Sequence, residues 1–248
     1  MGAIYILWLR QLKRYFRSKA RIVGSLGQPL LFLLALGYGF GPIFEKAGQG
    51  SYIQFLAPGI VAMSIIFTAL FSGIEIIWDK QFGFLKETLV APVSRLKIMI
   101  GRTLGGATVA IMQGIIVLAI SLIVGFRPVS WVLVPVSLVV MALIALLFTA
   151  LGTAIASKLD DMQGFQLIMN FLIMPLFFLS GALFPLNQMP PALLLVAKLD
   201  PLSYGVDGLH YLLTGMGALG LQMDFLVLAI VVAVLLFIGS WLFSKIEI

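Results

Sequence analysis

Cysteine is absent from this sequence, which excludes disulfide frameworks, cysteine-based zinc or iron–sulfur centres and thiol nucleophiles. Histidine occurs once, at His210, too few ligands for a histidine-rich metal centre and an argument against most histidine-dependent catalysis. Charge is scarce as well: Asp, Glu, Lys and Arg make up 10% of 248 residues, where a soluble domain carries about a quarter. No G-x-x-x-x-G-K-[ST] loop is present, so the chain has no phosphate cradle of its own. There is no H-E-x-x-H motif and no G-x-S-x-G elbow, since Gly24-Ser25-Leu26-Gly27 lacks the first glycine. What is abundant is apolar surface. Hydrophobic residues are 61% of the chain, more than a globule of this length can hide, so the remainder must face lipid. An all-α membrane protein is the expected class.

Uncharged runs extend over Ile22 to Phe44, Ala47 to Ile74, Thr103 to Phe126, Pro128 to Ser157, Met162 to Ala197 and Phe225 to Ser244. A hydrocarbon core of roughly 30 Å needs about 20 helical residues, so each run supplies one transmembrane helix. The spans are placed at about 22–41, 54–77, 104–125, 132–156, 165–184 and 223–243. Barrel strands would alternate apolar and polar residues, and these runs are apolar on all sides. The domain reading is an N-terminal segment, 1–21, followed by a six-helix transmembrane domain, 22–248.

The net charge of +6 would suggest nucleic acid in a soluble protein, but here the bases sort by side and no nucleic-acid partner is expected. Arg10, Lys13, Arg14, Arg17, Lys19, Arg21, Lys80, Lys86, Arg95, Lys97, Arg102, Lys158 and Lys245 fall on one side, and Lys46, Arg127 and Lys198 on the other. The positive-inside rule makes both termini cytoplasmic. The first apolar run contains Gln28-Pro29 and no clear small-residue cleavage site, so it reads as a retained helix, not a signal peptide.

Outside the spans three segments stand out. Residues 3–21 repeat bulky groups at Ile4, Trp8, Leu12 and Tyr15 while Arg10, Arg14, Arg17 and Arg21 recur every three or four positions. That is the pattern of an amphipathic helix on anionic lipid, although the same bases also serve to set topology. The second connection, Trp78 to Arg102, centres on Leu85, Lys86, Glu87, Thr88, Leu89, Val90, Ala91, Pro92, Val93 and Ser94. Pro92 forbids a continuous helix there and Ser94 can cap a new one from Arg95. The apolar Leu85, Leu89, Val90 and Val93 beside charges make either a protein contact or a solvated loop folded onto the helix ends.

In the fifth connection, Pro185, Pro190 and Pro191 stop a helix, and two apolar pieces too short to span, Ala192 to Leu199 and Leu202 to Leu213, flank Asp200-Pro201. Pieces of this length are re-entrant or interfacial. Asp207 and His210 share a helix face there, near Tyr204. They are either a proton-relay pair or, the favoured reading, interfacial polar residues that satisfy each other at the headgroup level. Glu75, near the inner end of the second span, is expected to snorkel to the interface with Asp79 and Lys80. Small residues at Gly101/Gly105, Ala150/Ala154 and Gly152/Ala156 allow close helix approach. No catalytic or metal-ligating set emerges.

Two stretches carry a resemblance. One runs from Phe55-Leu56-Ala57-Pro58-Gly59-Ile60 through Trp78-Asp79-Lys80-Gln81-Phe82-Gly83 to Leu89-Val90-Ala91-Pro92-Val93-Ser94-Arg95. The other joins Leu179-Ser180-Gly181-Ala182-Leu183-Phe184-Pro185 to Asp200-Pro201-Leu202-Ser203-Tyr204-Gly205-Val206-Asp207-Gly208. In this order the chain resembles the membrane subunits of ABC exporters of the ABC-2 type, notably the drug-resistance and nodulation lipo-oligosaccharide export branch. The resemblance implies a homodimer of six-helix subunits in the inner membrane, bound to two copies of a separate ATPase that holds ATP and Mg. It further implies that this chain has no cofactor of its own and does no bond chemistry. The N-terminal helix and residues Lys86 to Ser94 would then contact the ATPase, and the connector around Asp200, Pro201, Tyr204, Asp207 and His210 would close the exit. A secondary transporter would need coupling charges in mid-membrane, where all six spans are uncharged; a scaffold subunit without transport of its own is the other alternative.

Overall fold

The computed structural model describes residues 2–46, 50–84 and 93–244, excepting the side chains of Arg21 and Ser244. Every regular element among them is helical. In chain order these are α1 (Gly2–Arg17), α2 (Lys19–Lys46), α3 (Tyr52–Phe71), α4 (Ile74–Gln81), α5 (Arg95–Val124), α6 (Val134–Lys158) and α7 (Met162–Leu179). A 3-10 turn at Leu186–Gln188 follows, then α8 (Pro191–Leu199), α9 (Pro201–Thr214) and α10 (Leu221–Ser244). Among the described residues six segments are long and apolar enough to cross a membrane: Ile22–Lys46, Tyr52–Gln81, Arg95–Val124, Val134–Lys158, Met162–Leu179 and Leu221–Phe243. Helices are the forced choice for such runs, because only an intra-segment ladder satisfies every backbone group in hydrocarbon.

The α3 helix is the hub. Burial reaches 72% in the most apolar stretch of Tyr52–Gln81 but only 17% in those of Ile22–Lys46 and Leu221–Phe243. Packing against α2, α5, α6 and α9 encloses α3, whereas α2, α7 and α10 keep a broad apolar face outward. Lipid tails are as apolar as leucine, so what brings such helices together is close fit at small residues. A Cβ built on Gly59 would lie 2.5 Å from the Ala182 carbonyl oxygen, and one on Gly152 would lie 2.5 Å from the Leu70 carbonyl oxygen. A Cβ on Gly73 would collide with the Gly152 backbone. Gly152 is thus the seat of the α3–α4 junction. Around it the ladder tightens to i→i−3 bonds, with Gly73 N donating to Leu70 O at 3.2 Å and Ile76 N to Gly73 O at 2.9 Å.

Several expected boundaries move. The second span continues to Gln81, past the expected 77, and the third starts at Arg95 instead of 104. The fifth ends at Leu179, before 184. Reading spans between charges places ends where charge begins, but a helix continues as long as its charges find partners. Arg95 follows Ser94 as expected, yet the Ser94 side chain makes no cap bond. The two short pieces of the fifth connection form as expected, with different fates. The α8 helix is exposed apart from the half-buried Leu194 and the buried Ala197, while α9 is buried against α3, α6 and α10. At its C-terminus Gly215 takes φ of 74°, a left-handed cap open to glycine without strain.

Candidate functional site

At the end of the bundle where α4 stops and α5 starts, α1 lies across α5. Gly101 and Gly105 make this possible: a Cβ there would sit 2.9 Å from Leu7 Cβ and 2.6 Å from Gln11 Cγ respectively. Trp8 Nε1 donates to Thr108 Oγ1 at 3.0 Å, and the buried Tyr15 hydroxyl donates to Gln113 Oε1 at 2.7 Å. Burial pushes the Tyr15 phenol above its ordinary range, so it remains a donor. A stripe of glycines on α5 and one apolar face of α1 therefore account for the docking, and each buried hydrogen bond adds about 1 kcal/mol.

The docking carries the α1 arginines to buried carboxylates. Asp79 is 2% exposed and Arg102 5% exposed, and Arg102 Nη2 donates to Asp79 Oδ2 in close contact. Arg10 Nη2 reaches Asp79 Oδ1 at 3.4 Å, while Arg14 Nη1 lies 3.5 Å from Glu75 Oε2 and 3.9 Å from Asp79 Oδ1. Glu75 does not snorkel: it is buried and faces Arg14. Nor do Arg10 and Arg14 simply face lipid, because they cross to the α4 carboxylates. Arg17 stays exposed in the last turn of α1. Desolvation of buried charges is costly and is offset only by mutual pairing, which makes the Asp79–Arg102 pair a tie between α4 and α5 that the half-exposed α1 arginines close over.

A second tie runs from α4 to the end of α6. Lys80 Nζ donates to Ser157 O at 2.8 Å, Leu159 O at 3.1 Å and Asp160 Oδ1 at 3.0 Å, and Gln81 Nε2 donates to Asp160 O at 2.9 Å. A lysine at a helix C-terminus meets the unsatisfied carbonyls there. Of the expected contact segment, Lys86, Glu87, Thr88, Leu89, Val90, Ala91 and Pro92 lie outside the described residues, and Val93 and Ser94 lead directly into α5. Both helices that flank the segment are held by the ties just described.

At the opposite end, Asp200 caps α9, its Oδ1 accepting from Leu202 N at 2.8 Å, with Pro201 in the first turn. Burial pushes the Asp200 carboxyl up to about 7, against the pull of the Leu202 N–H. Tyr204 donates its hydroxyl to Lys198 O at 2.9 Å and so joins α8 to α9. Asp207 accepts from Ala218 N at 2.7 Å and Leu219 N at 2.8 Å, closing the turn after α9 onto the helix. His210 stacks on Phe55 with ring centroids 4.7 Å apart, and its Nε2 lies 2.8 Å from Phe55 O. A carbonyl only accepts, so Nε2 carries the hydrogen; burial lowers the imidazole pKa, partly countered by Phe55 O and Asp207.

The reading of Asp207 and His210 as residues that satisfy each other is corrected: they share a face, but their hydrogen bonds go to the 218–219 backbone and to α3. They flank a cavity of about 320 Å3 that Phe44, Phe55 and Pro185 also line. Asp224, in the first turn of α10, is fully buried, and neither carboxylate oxygen has a partner among the described residues. Sequence reasoning passed over it, since a lone acid at the edge of an apolar run looks like a headgroup residue. No group of three or more metal-ligating His, Asp or Glu side chains occurs among the described residues.

Residues 2–214, from α1 to the end of α9, match the model of the ABC-2 type transporter family. The chain belongs to that family. It is 33% identical over 207 residues to a putative transport permease, ycf38, of Porphyra purpurea, covering 79% of this chain and 69% of that protein. It is 30% identical over 231 residues to the inner membrane transport permease YadH of Escherichia coli K12, covering 92% and 89% of the two chains. Nodulation protein J of Rhizobium leguminosarum bv. trifolii is 30% identical over 213 residues, covering 85% and 78%. This ABC-2 protein is therefore a membrane subunit of a transporter, and the buried cluster and the connector are features of its transmembrane scaffold.

Proposed function

We propose that this ABC-2 subunit is the permease of an ATP-driven exporter in the inner membrane, with both termini cytoplasmic. It works as a homodimer with two copies of a separate ATPase that binds ATP and Mg, and it moves a hydrophobic, drug-like or lipid-linked molecule outward. The observation that carries the reading is the pair of ties around residues 85–94. With α1 seated on α5 by the Gly101/Gly105 groove, Trp8 and Tyr15, α4 paired to α5 by Asp79 and Arg102, and α4 tied to α6 by Lys80, a displacement applied to that segment moves these helices as a body. Packed cores respond to such a push by switching between discrete arrangements, not by bending.

The energy source then lies outside the chain, in agreement with the absence of any phosphate-binding loop in the sequence. The connector of α8 and α9 serves as the re-entrant outer element that closes the exit. The His210–Phe55 contact fixes it to the hub helix, while Asp200 caps the start of α9 and Asp207 holds the turn that follows it. Two of the relatives are named as transport permeases, ycf38 and YadH, which favours transport over a passive scaffold.

The test is co-purification of the tagged chain with the ATPase encoded beside it, followed by ATP turnover in nanodiscs with a panel of lipophilic drugs and glycolipids. A stable complex whose turnover rises with one of these ligands is expected. An ATPase that neither binds nor responds rejects the exporter reading.

A further inference from the structure

A cavity of about 430 Å3 lies within a single protomer, between α1, α2, α3, α4 and α5, beside the ionic cluster. That volume is in the range of small-molecule sites. One part of its wall is apolar and aromatic, made by Pro29, Phe67, Phe71, Ile74, Trp78 and Val109. The other part is polar, with Arg14, Glu75, Gln11, Gln28 and Ser25. A wall divided in this way suits an amphiphile: a chain against the rings, a head group against the amides and the ions.

The charge of the head group follows from the cluster. Among the described residues three guanidiniums, Arg10, Arg14 and Arg102, face two carboxylates, Asp79 and Glu75. Arg102 is committed to Asp79 in close contact. Arg14 is not: its contacts at 3.5 and 3.9 Å both use Nη1 and are longer than a charge-assisted hydrogen bond, which leaves Nε and Nη2 hydrogens for another acceptor. The side chain is also 36% exposed. The whole of α1 carries no acid, and Lys13 and Arg17 add to the positive field. A cationic head group would meet this surplus and would have to displace Arg14 from Glu75. An anionic one completes the coordination of Arg14 without breaking anything.

We propose that this intraprotomer cavity binds an amphiphile with a single negative charge, of the phosphate-diester or carboxylate class, its head group on Arg14 and its chain along Phe67, Phe71 and Trp78. The site stands whether or not transport is driven by ATP.

The test uses the full chain in phosphatidylcholine nanodiscs doped with phosphatidylglycerol, and weighs the lipid retained on release by native mass spectrometry. The wild type should retain phosphatidylglycerol over phosphatidylcholine by about tenfold or more. Arg14→Gln should lose that preference. Gly24→Leu keeps every charge and should also lose the bound lipid: Gly24 lines the cavity, and a Cβ there meets nothing within 4 Å, so the new side chain fills the space without disturbing the helix. Lys198→Gln, an exposed charge at the other end, should behave as wild type.

Retention that survives Gly24→Leu overturns the cavity assignment. Equal loss in Lys198→Gln, or preferential capture of dodecyltrimethylammonium, overturns the anion assignment. Displacement of the lipid by millimolar inorganic phosphate shows that the head group suffices and overturns the amphiphile.

Discussion

The decisive residues of this protein are a few polar groups in an apolar chain, and their value depends on what each one faces. Asp79 has Arg102, Arg10 and Arg14 around it, so Asp79→Ala strands a buried guanidinium and should cost about 3–5 kcal/mol. Arg10 is 42% exposed at its side chain, and Arg10→Ala should cost less than about 1 kcal/mol. Thermal unfolding in detergent measures both; equal losses would mean that the cluster is not the tie described. Asp200 makes a pH prediction. Its carboxyl is raised from 3.8 to about 7 in the folded chain, so the folded state holds a proton that the unfolded state releases. Stability from this group is complete below about pH 4 and declines as pH rises toward 7, by at most about 4 kcal/mol. His210, buried and neutral, acts in the opposite sense below its ordinary pKa of 6.5, so the comparison is between wild type and Asp200→Asn. The variant should lack the decline between pH 4.5 and 7.5, and an unchanged profile removes Asp200 from the account.

Helix by helix, the sequence reveals how much apolar surface an element carries but not where that surface goes. The α1 repeat of bulky residues and arginines reads equally well as a helix on lipid. Only the Gly101/Gly105 groove, about a hundred residues away in sequence, turns it onto α5. The Asp200-Pro201 break is legible because Pro starts helices and Asp caps them, whereas the burial of α9 against the hub is not. For the segment between α4 and α5, Glu87→Ala and Pro92→Gly should leave membrane insertion intact, since neither lies in a span. They should lower ligand-stimulated ATP turnover and export together. Lys46→Ala, at the far end of α2, should change neither. Normal transport with an unchanged ATPase response in both segment variants would make the connection a passive one.

For the molecule as a whole, the distribution of bases predicts which end of the bundle is cytoplasmic. The absence of native cysteine makes this simple to test. Single cysteines at Lys46 and Arg127 should react with an impermeant maleimide on intact cells, and one at Lys97 should not. The reverse pattern overturns the orientation. The arrangement of the bundle gives the labels meaning: Tyr38 donates to Val124 O at 3.3 Å and Gln54 Nε2 to Gly125 O at 3.2 Å, so the ends of α2 and α5 and the start of α3 lie together, away from the ionic cluster.

The amino-acid sequence alone determined the class, the number of spans and the short helices of the connector, because these depend on local quantities: hydropathy over about 20 residues, proline, and charge counted along the chain. It also carried the family resemblance. Tertiary structure decided which polar residues are partners. Asp79 with Arg102, Glu75 with Arg14, His210 with Phe55 and Asp207 with the 218–219 backbone are pairings between groups whose spacing along the chain predicts nothing, since each is created only when separate segments pack together. A charge at the end of an apolar run has two low-energy options, water at the interface or a buried partner. The choice belongs to the packing around it, which supplied the partner for Glu75 and Asp79 and none among the described residues for Asp224.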